Sequence, residues 1–323
     1  MPIPIENIYY LLCYSWNKLD EMKQVNVSVD GKIELIDLLA KVLANSAKIL
    51  LKRGVDKNYV DNTIEFSGVK GKVQISETLK RNLLHMQKSV CAFDIFSSDT
   101  ILNKIIVTTI YRLLRTTGLN ENLKSELVVL YKMLSGIGLI ELSDRVFDGI
   151  RLNRNNHFYG FIMKVCQLLY ESTLPSEKNG RYKFSDFIKD DHKMNRLFES
   201  FVRNFYKIEQ KKFNTVKKEI LKWQFEIKDI ESSRYLPQME TDITLENDTE
   251  KIIIDAKYYS ETMAVNYDRE KIKSANLYQL FSYLINQRSH EPKTQTTKGI
   301  LLYPTIDADY DLHYRYEQHF ASV

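Results

Sequence analysis

Apolar residues recur every three to four positions through most of this chain and every second position in a few short stretches. The pattern predicts helices around small sheets in both halves. After Pro4, residues 5–18 carry Ile8, Leu11, Leu12 and Trp16 at helical spacing, and residues 34–52 carry a stripe of Leu38, Leu39, Val42, Leu43 and Ala47. The period then changes. Residues 62–67 and 72–76 predict short strands joined through Gly68-Val69-Lys70-Gly71, and residues 91–96 predict a third. Helices follow over 99–116 and 120–134. Gly136 and Gly138 interrupt the pattern, and the polar run RLNRNN, residues 151–156, marks the expected boundary between a domain of residues 1–155 and one of residues 156–323.

Residues 157–172 predict a further helix, and Asp190 or Asp191 supplies the cap for another that reaches Gln210. Its apolar face comprises Met194, Leu197, Phe198, Phe201, Val202 and Phe205. Glu199 falls at the flank of that face, so it either points at a packed neighbour or forms a solvated shoulder. Residues 239–245 and 251–259 read as a hairpin about Glu246-Asn247-Asp248-Thr249, with Ile252, Ile253 and Ile254 on the second strand. A helix over 271–288 carries Leu277, Leu280, Phe281 and Leu284, and a buried strand over 299–303 is stopped by Pro304. The implied class is α+β or α/β, with a mixed N-terminal domain of helices and short strands. The C-terminal domain has a central mixed β-sheet flanked by helices.

The hairpin concentrates the chemistry. It sets Asp242 on one strand and Asp255 and Lys257 on the other. Asp255 and Lys257, two apart, share a face, and a tight hairpin brings Asp242 beside them. Charges at the end of an isoleucine run persist only when paired or metal-bound. Two close carboxylates repel unless a cation separates them, and such oxygen ligands suit a hard ion, Mg²⁺ or Mn²⁺. Lys257 would orient a water or stabilise charge on a phosphate. An acid followed one hairpin later by D-x-K is the signature of the PD-(D/E)xK nucleases. The tripeptide alone arises by chance: Asp30 to Lys32, Asp191 to Lys193, Glu209 to Lys211, Glu226 to Lys228 and Glu291 to Lys293 all fit it. Only Asp255-Ala256-Lys257 follows a buried-strand pattern with an acid upstream. The alternative is a salt-bridged hairpin end.

Composition narrows the rest. A chain of 323 residues, 44% hydrophobic, has room for two cores. Net charge is only +4, so a nucleic-acid surface must come from local clustering. The candidate is Lys211, Lys212, Lys217, Lys218 and Lys222, next to Trp223 and Phe225; the same cluster also fits a merely solvated face. Cys13, Cys91 and Cys166 sit far apart among apolar residues and read as buried thiols. The six histidines, His290 among them, show no metal-binding spacing. The phosphate-loop pattern G-x-x-x-x-G-K-[ST] is absent, so no nucleotide is expected on this chain. With no membrane-length apolar run and no signal peptide in MPIPIENIYY, a soluble cytoplasmic protein is expected.

With these residues in hand, the chain resembles the McrC family, the nuclease subunits of McrBC 5-methylcytosine-dependent restriction systems. IENIYYLLCYSW resembles the family's opening, and MNRLFESFVRNF, METDITL, DAKYY, NLYQLFSYL and LLYP match in order. Gln279 and Tyr283, four apart on one helix face, also match the Q-x-x-x-Y motif of RecB-like nucleases. One departure is Thr241, where the family has proline before the first acid. The resemblance implies a Mg²⁺-dependent endodeoxyribonuclease in which Asp242 and Asp255 hold the ion, with the Ala256 carbonyl as a further ligand. Lys257 would position the attacking water, Glu199 would be an auxiliary acid, and Gln279 and Tyr283 would orient the Lys257 region or the DNA strand. Mn²⁺ would substitute for Mg²⁺. The implied partners are double-stranded DNA carrying modified cytosine and a hexameric McrB-like AAA+ GTPase. The first domain would dock to that GTPase and stimulate it, with residues 68–72 the candidate contact. A stand-alone repair or recombination nuclease and a mainly non-catalytic activator of an AAA+ motor are the alternatives.

Overall fold

Asn247 closes the central hairpin. Its side-chain Oδ1 accepts from the backbone N–H groups of Thr249 (2.9 Å) and Glu250 (2.7 Å), so the turn needs no glycine. In this computed structural model the described residues are 4–19, 34–176, 180–226, 230–258, 264–266, 269–289, 291–304, 310–316 and 318–323. Asp30, Lys32, Lys228, Tyr259 and His290 lie outside them. The chain divides into two units, one with residues 186–323 and the N-terminal helix, the other between them.

The first unit contains, in chain order, α1 (Ile5–Ser15), α2 (Asp191–Glu209), β1 (Thr215–Lys217), β2 (Ile243–Glu246), β3 (Lys251–Ala256), α3 (Ser274–Asn286), β4 (Lys298–Leu302), β5 (His313–Tyr316) and β6 (His319–Ser322). The strands form one mixed sheet in the order β5-β6-β4-β3-β2-β1. β3 pairs antiparallel with β2 and parallel with β4, and β4 pairs parallel with β6. Central β3 is buried nearly throughout, as its isoleucines require. Ile253, Leu301, Met239 and Leu221 pack with Leu280, Tyr283 and Leu284 of α3 in one apolar cluster. Gly299 lets α3 approach: a Cβ there would lie 3.0 Å from both Leu280 and Leu284.

On the other helix, Asp190 is the N-cap, its side chain accepting from the Lys193 N–H (3.1 Å). Met194, Phe198 and Val202 are buried, whereas Phe201 and Phe205 meet Tyr14 of α1. α1 is tied down further by Ser15 Oγ donating to Leu197 O and Asn204 Nδ2 donating to Tyr14 O, both at 2.9 Å. A fully buried N-terminal stripe, Ile8, Leu12 and Cys13, thus belongs with the C-terminal residues.

The second unit packs the helices Leu35–Arg53, Ile101–Leu114, Glu121–Met133 and Tyr159–Ser172 around Leu38, Leu39, Leu43, Ile105, Ile110 and Leu127. A ribbon of Asn58–Ser67 paired antiparallel with Lys88–Ser97 projects from it, with Lys72–Val73 alongside. Tyr59, Ile64, Phe66, Ile95 and Phe96 on this ribbon are exposed.

Four expectations need correction. The unit boundary falls between Ser185 and Asp186 and not near residue 155, because Tyr159–Ser172 packs on Leu35–Arg53 and Ile101–Leu114. RLNRNN is a closed turn, in which Asn156 Oδ1 accepts from the Asn153 N–H (2.7 Å), rather than a linker. The strand expected over 72–76 ends at Val73, and a helix Ile75–Lys80 follows, since Thr78 Oγ1 takes the Val90 N–H that a strand would have used. The strand expected over 239–245 is split into Met239–Glu240 and β2. Thr241 causes the split, donating its N–H to Glu219 O (2.9 Å) and accepting the Glu219 N–H at Oγ1 (3.1 Å).

The three cysteines are free and buried. No described helix is long and apolar enough to cross a membrane.

Candidate active site

The β2–β3 register ends at the Ile243–Ile254 pair, and the next residues on the two segments, Asp242 at a bend and Asp255 on β3, fall where a further pair would stand. Cross-strand partners share a sheet face, so the two carboxyl groups converge. Lys257, two residues beyond Asp255, reaches back between them: its Nζ lies 2.9 Å from Asp255 Oδ1 and 3.4 Å from Asp242 Oδ2. Asp242 Oδ2 also accepts the Ala256 backbone N–H at 3.1 Å. The sequence-based juxtaposition is thus what the fold produces.

Its electrostatics are those of charges held out of water. Asp255 is 0% exposed, and its Oδ2 has no hydrogen-bond partner among the described residues. Burial pushes its carboxyl up to about 7, opposed by the Lys257 ammonium and reinforced by Asp242. For Lys257, burial works against the charged form, but the carboxylates of Asp255 and Asp242 outweigh it and hold the ammonium above its ordinary range. An orphaned buried carboxylate oxygen beside a second carboxylate fits a hard divalent cation, and the Ala256 carbonyl follows on the same strand. No group of three or more His, Cys, Asp and Glu side chains gathers as a metal cage among the described residues. Two carboxylates leave coordination positions that Mg²⁺ ordinarily fills with water.

α2 brings Glu199 to this cluster, half-buried rather than on a solvated shoulder. Burial raises its carboxyl above the usual range, and Asp242 raises it further, against Lys257, Lys218 and Arg203. Gln279 and Tyr283 do meet: Gln279 Nε2 donates to the Tyr283 hydroxyl (2.7 Å), which donates to Glu240 O (2.8 Å). Their anchor is therefore the segment leading into Asp242. Burial lifts the Tyr283 hydroxyl to about 12, so it stays a donor.

Asn195 escaped the sequence reading. It stands one turn before Glu199 on α2, and its side chain bonds both Glu199 and the backbone after Lys257. The helical spacing to Glu199 was available as a signal; the contact to Tyr258 was not. The lysine cluster also reads differently. Lys212 pairs with Glu250, Lys218 with Glu240 (3.6 Å), and Lys217 with Glu246 and Glu219 (3.8 and 3.9 Å). Three of its five cations thus face acids of this same chain, which weakens the case for a continuous phosphate track.

Comparison with known proteins follows the same direction. The family model described as "McrBC 5-methylcytosine restriction system component" matches residues 6–304. The type IV methyl-directed restriction enzyme EcoKMcrBC of Escherichia coli (strain K12) is 33% identical over 305 residues, spanning 94% of this chain and 87% of that protein. Among solved structures, a refined half-complex from the tetradecameric assembly of Thermococcus gammatolerans McrB AAA+ hexamers with bound McrC is similar with a TM-score of 0.57 at 16% identity, over 99% of this chain and 71% of that one. At that identity the likeness speaks for the fold alone. The family match along nearly the whole chain, with a relative a third identical over the same length, makes this chain a member of the McrBC family of 5-methylcytosine restriction system components.

Proposed function

We propose that this chain is the McrC-like, DNA-cleaving subunit of a modification-dependent restriction complex, with a PD-(D/E)xK-type site in residues 186–323. The observation that carries this reading is the convergence of Asp242, Asp255 and Lys257 around an unpartnered buried carboxylate oxygen, in a chain of this family. Asp242, Asp255 and the Ala256 carbonyl would hold Mg²⁺. When bound, the ion would supply Lewis-acid stabilisation of charge growing on the phosphoryl oxygens. Asp242 is held in place by the Ala256 N–H, which fixes one of its oxygens at the site. Lys257, kept protonated by its two acids, donates to the water that adds to phosphorus as the bond to the leaving sugar oxygen breaks. Glu199, with its raised carboxyl, is the group suited to exchange a proton with that water. Gln279 and Tyr283 fix the backbone that delivers Asp242.

The partner in this reading is an AAA+ GTPase of the McrB type, and the substrate is double-stranded DNA bearing 5-methylcytosine. The similar solved assembly is one of McrB AAA+ hexamers with bound McrC, which supports the pairing. Residues 27–185, with the exposed apolar ribbon and the turn at 68–72, are the surface proposed to engage and stimulate that partner. The test is GTP turnover and cleavage of methylated DNA by the partner with and without this chain. Stimulated turnover, with cleavage in Mg²⁺ or Mn²⁺ and none in chelator, is expected. Cleavage unaffected by chelation would sink the mechanism, and unstimulated turnover would sink the partnership.

A further inference from the structure

We infer that Asn195 is a positioning residue for this nuclease site, holding Glu199 and the Lys257 backbone in one fixed relation. The inference rests on the proposed nuclease reading and adds a group outside its reacting set.

The geometry leaves the amide a single orientation. Its oxygen accepts the backbone N–H of Tyr258 at 2.8 Å, and that N–H can only donate. Its nitrogen donates to Glu199 Oε1 at 2.5 Å, and an ionised carboxylate can only accept. Reversing the amide would place two donors and two acceptors against one another.

The Tyr258 bond matters because of where β3 ends. The ladder to β4 runs through Ala256, and the Lys257 N–H still reaches Leu302 O at 2.9 Å. The next N–H, that of Tyr258, bonds the Asn195 side chain. The Lys257 residue is therefore gripped on both sides, by β4 before its Cα and by α2 after it. Tyr258 is 8% exposed, so its N–H would be poorly solvated without this acceptor. The other half of the amide works on Glu199, whose carboxyl lies within electrostatic reach of Asp242 and Lys257. One half-buried side chain thus couples two groups that approach the site from different elements.

The test uses the full chain with its GTPase partner and methylated DNA. Asn195→Ala is expected to lower the cleavage kcat about 10- to 100-fold, with KM for DNA within about twofold and GTPase stimulation unchanged. Asn195→Asp keeps the acceptor for Tyr258 but sets like charge against Glu199, so it should also cut more slowly. Adding Glu199→Gln to Asn195→Asp restores a donor–acceptor pair, so the double variant should regain in urea unfolding the stability that Asn195→Asp loses, without regaining cleavage, because Glu199 belongs to the reacting set. A fall in kcat with KM and GTPase stimulation unchanged would not arise from a general loss of stability. Asn195→Ala cutting at the native rate, or a double variant no more stable than Asn195→Asp, overturns the inference. Asp255→Ala in the same assay separates the two readings: if it still cuts, the nuclease reading itself fails.

Discussion

Asp255→Asn should stabilise this protein while removing the chemistry proposed for it. Asp255 is fully buried, and its carboxyl is raised from 3.8 to about 7, by burial first, against Lys257 and with Asp242. A carboxyl whose folded value exceeds its unfolded value takes up its proton in the folded state first. The charge therefore penalises folding fully above about pH 7, and the penalty fades as pH falls toward 4. About three pH units at 1.36 kcal/mol each give a ceiling of about 4 kcal/mol at pH 8. With local relaxation, a gain of roughly 2 to 4 kcal/mol is expected, or about 4 to 16 °C in melting temperature for a domain of this size. The assay is thermal or urea unfolding of both proteins in chelator at pH 8 and pH 5. The variant should be the more stable at pH 8, with the difference falling to less than half at pH 5. Mg²⁺ added at pH 8 should then stabilise the native protein and not the variant. A variant no more stable at pH 8, or a difference indifferent to pH, would refute the argument that burial outweighs the Lys257 ion pair.

Three further outcomes follow from the packing. Tyr283→Phe removes the hydroxyl bond to Glu240 O and should cost about 1 kcal/mol in urea unfolding and about tenfold in cleavage rate, with GTPase stimulation intact. Gly299→Val forces branches against Leu280 and Leu284, already 3.0 Å from a Cβ, and should destabilise by about 1 to 3 kcal/mol. Gly71→Ala combines φ of +68° with a Cβ 2.6 Å from Ala92 O; it should strain the ribbon and reduce GTPase stimulation, leaving the melting of residues 186–323 unchanged.

The sequence was most legible where local chemistry decides structure. The isoleucine run, the Asn247 turn and the Asp190 cap are set by nearby residues, so the central hairpin and α2 could be read directly. Asp242, Asp255 and Lys257 were legible because alternation along paired strands fixes which side chains meet. Long-range choices were not. The chain's opening helix looks like part of the first half, and only packing of Tyr14 on Phe201 and Phe205 assigns it elsewhere. β5 and β6, with HYRY and HFAS, have too weak an alternation to announce themselves; β4 recruits β6, and β6 recruits β5. Beyond Glu219, which stands within the cluster, the acids that oppose it, Glu240, Glu246 and Glu250, are remote in sequence and could not be read beside it.

The most direct test of the account is cleavage of 5-methylcytosine DNA by the assembled complex in Mg²⁺ and GTP, with Asp255→Ala in place of the native chain. The account expects cleavage to be lost while partner binding and GTP turnover persist at native levels. Cleavage at the native rate by Asp255→Ala would contradict it, and would move the chemistry away from the β2–β3 hairpin.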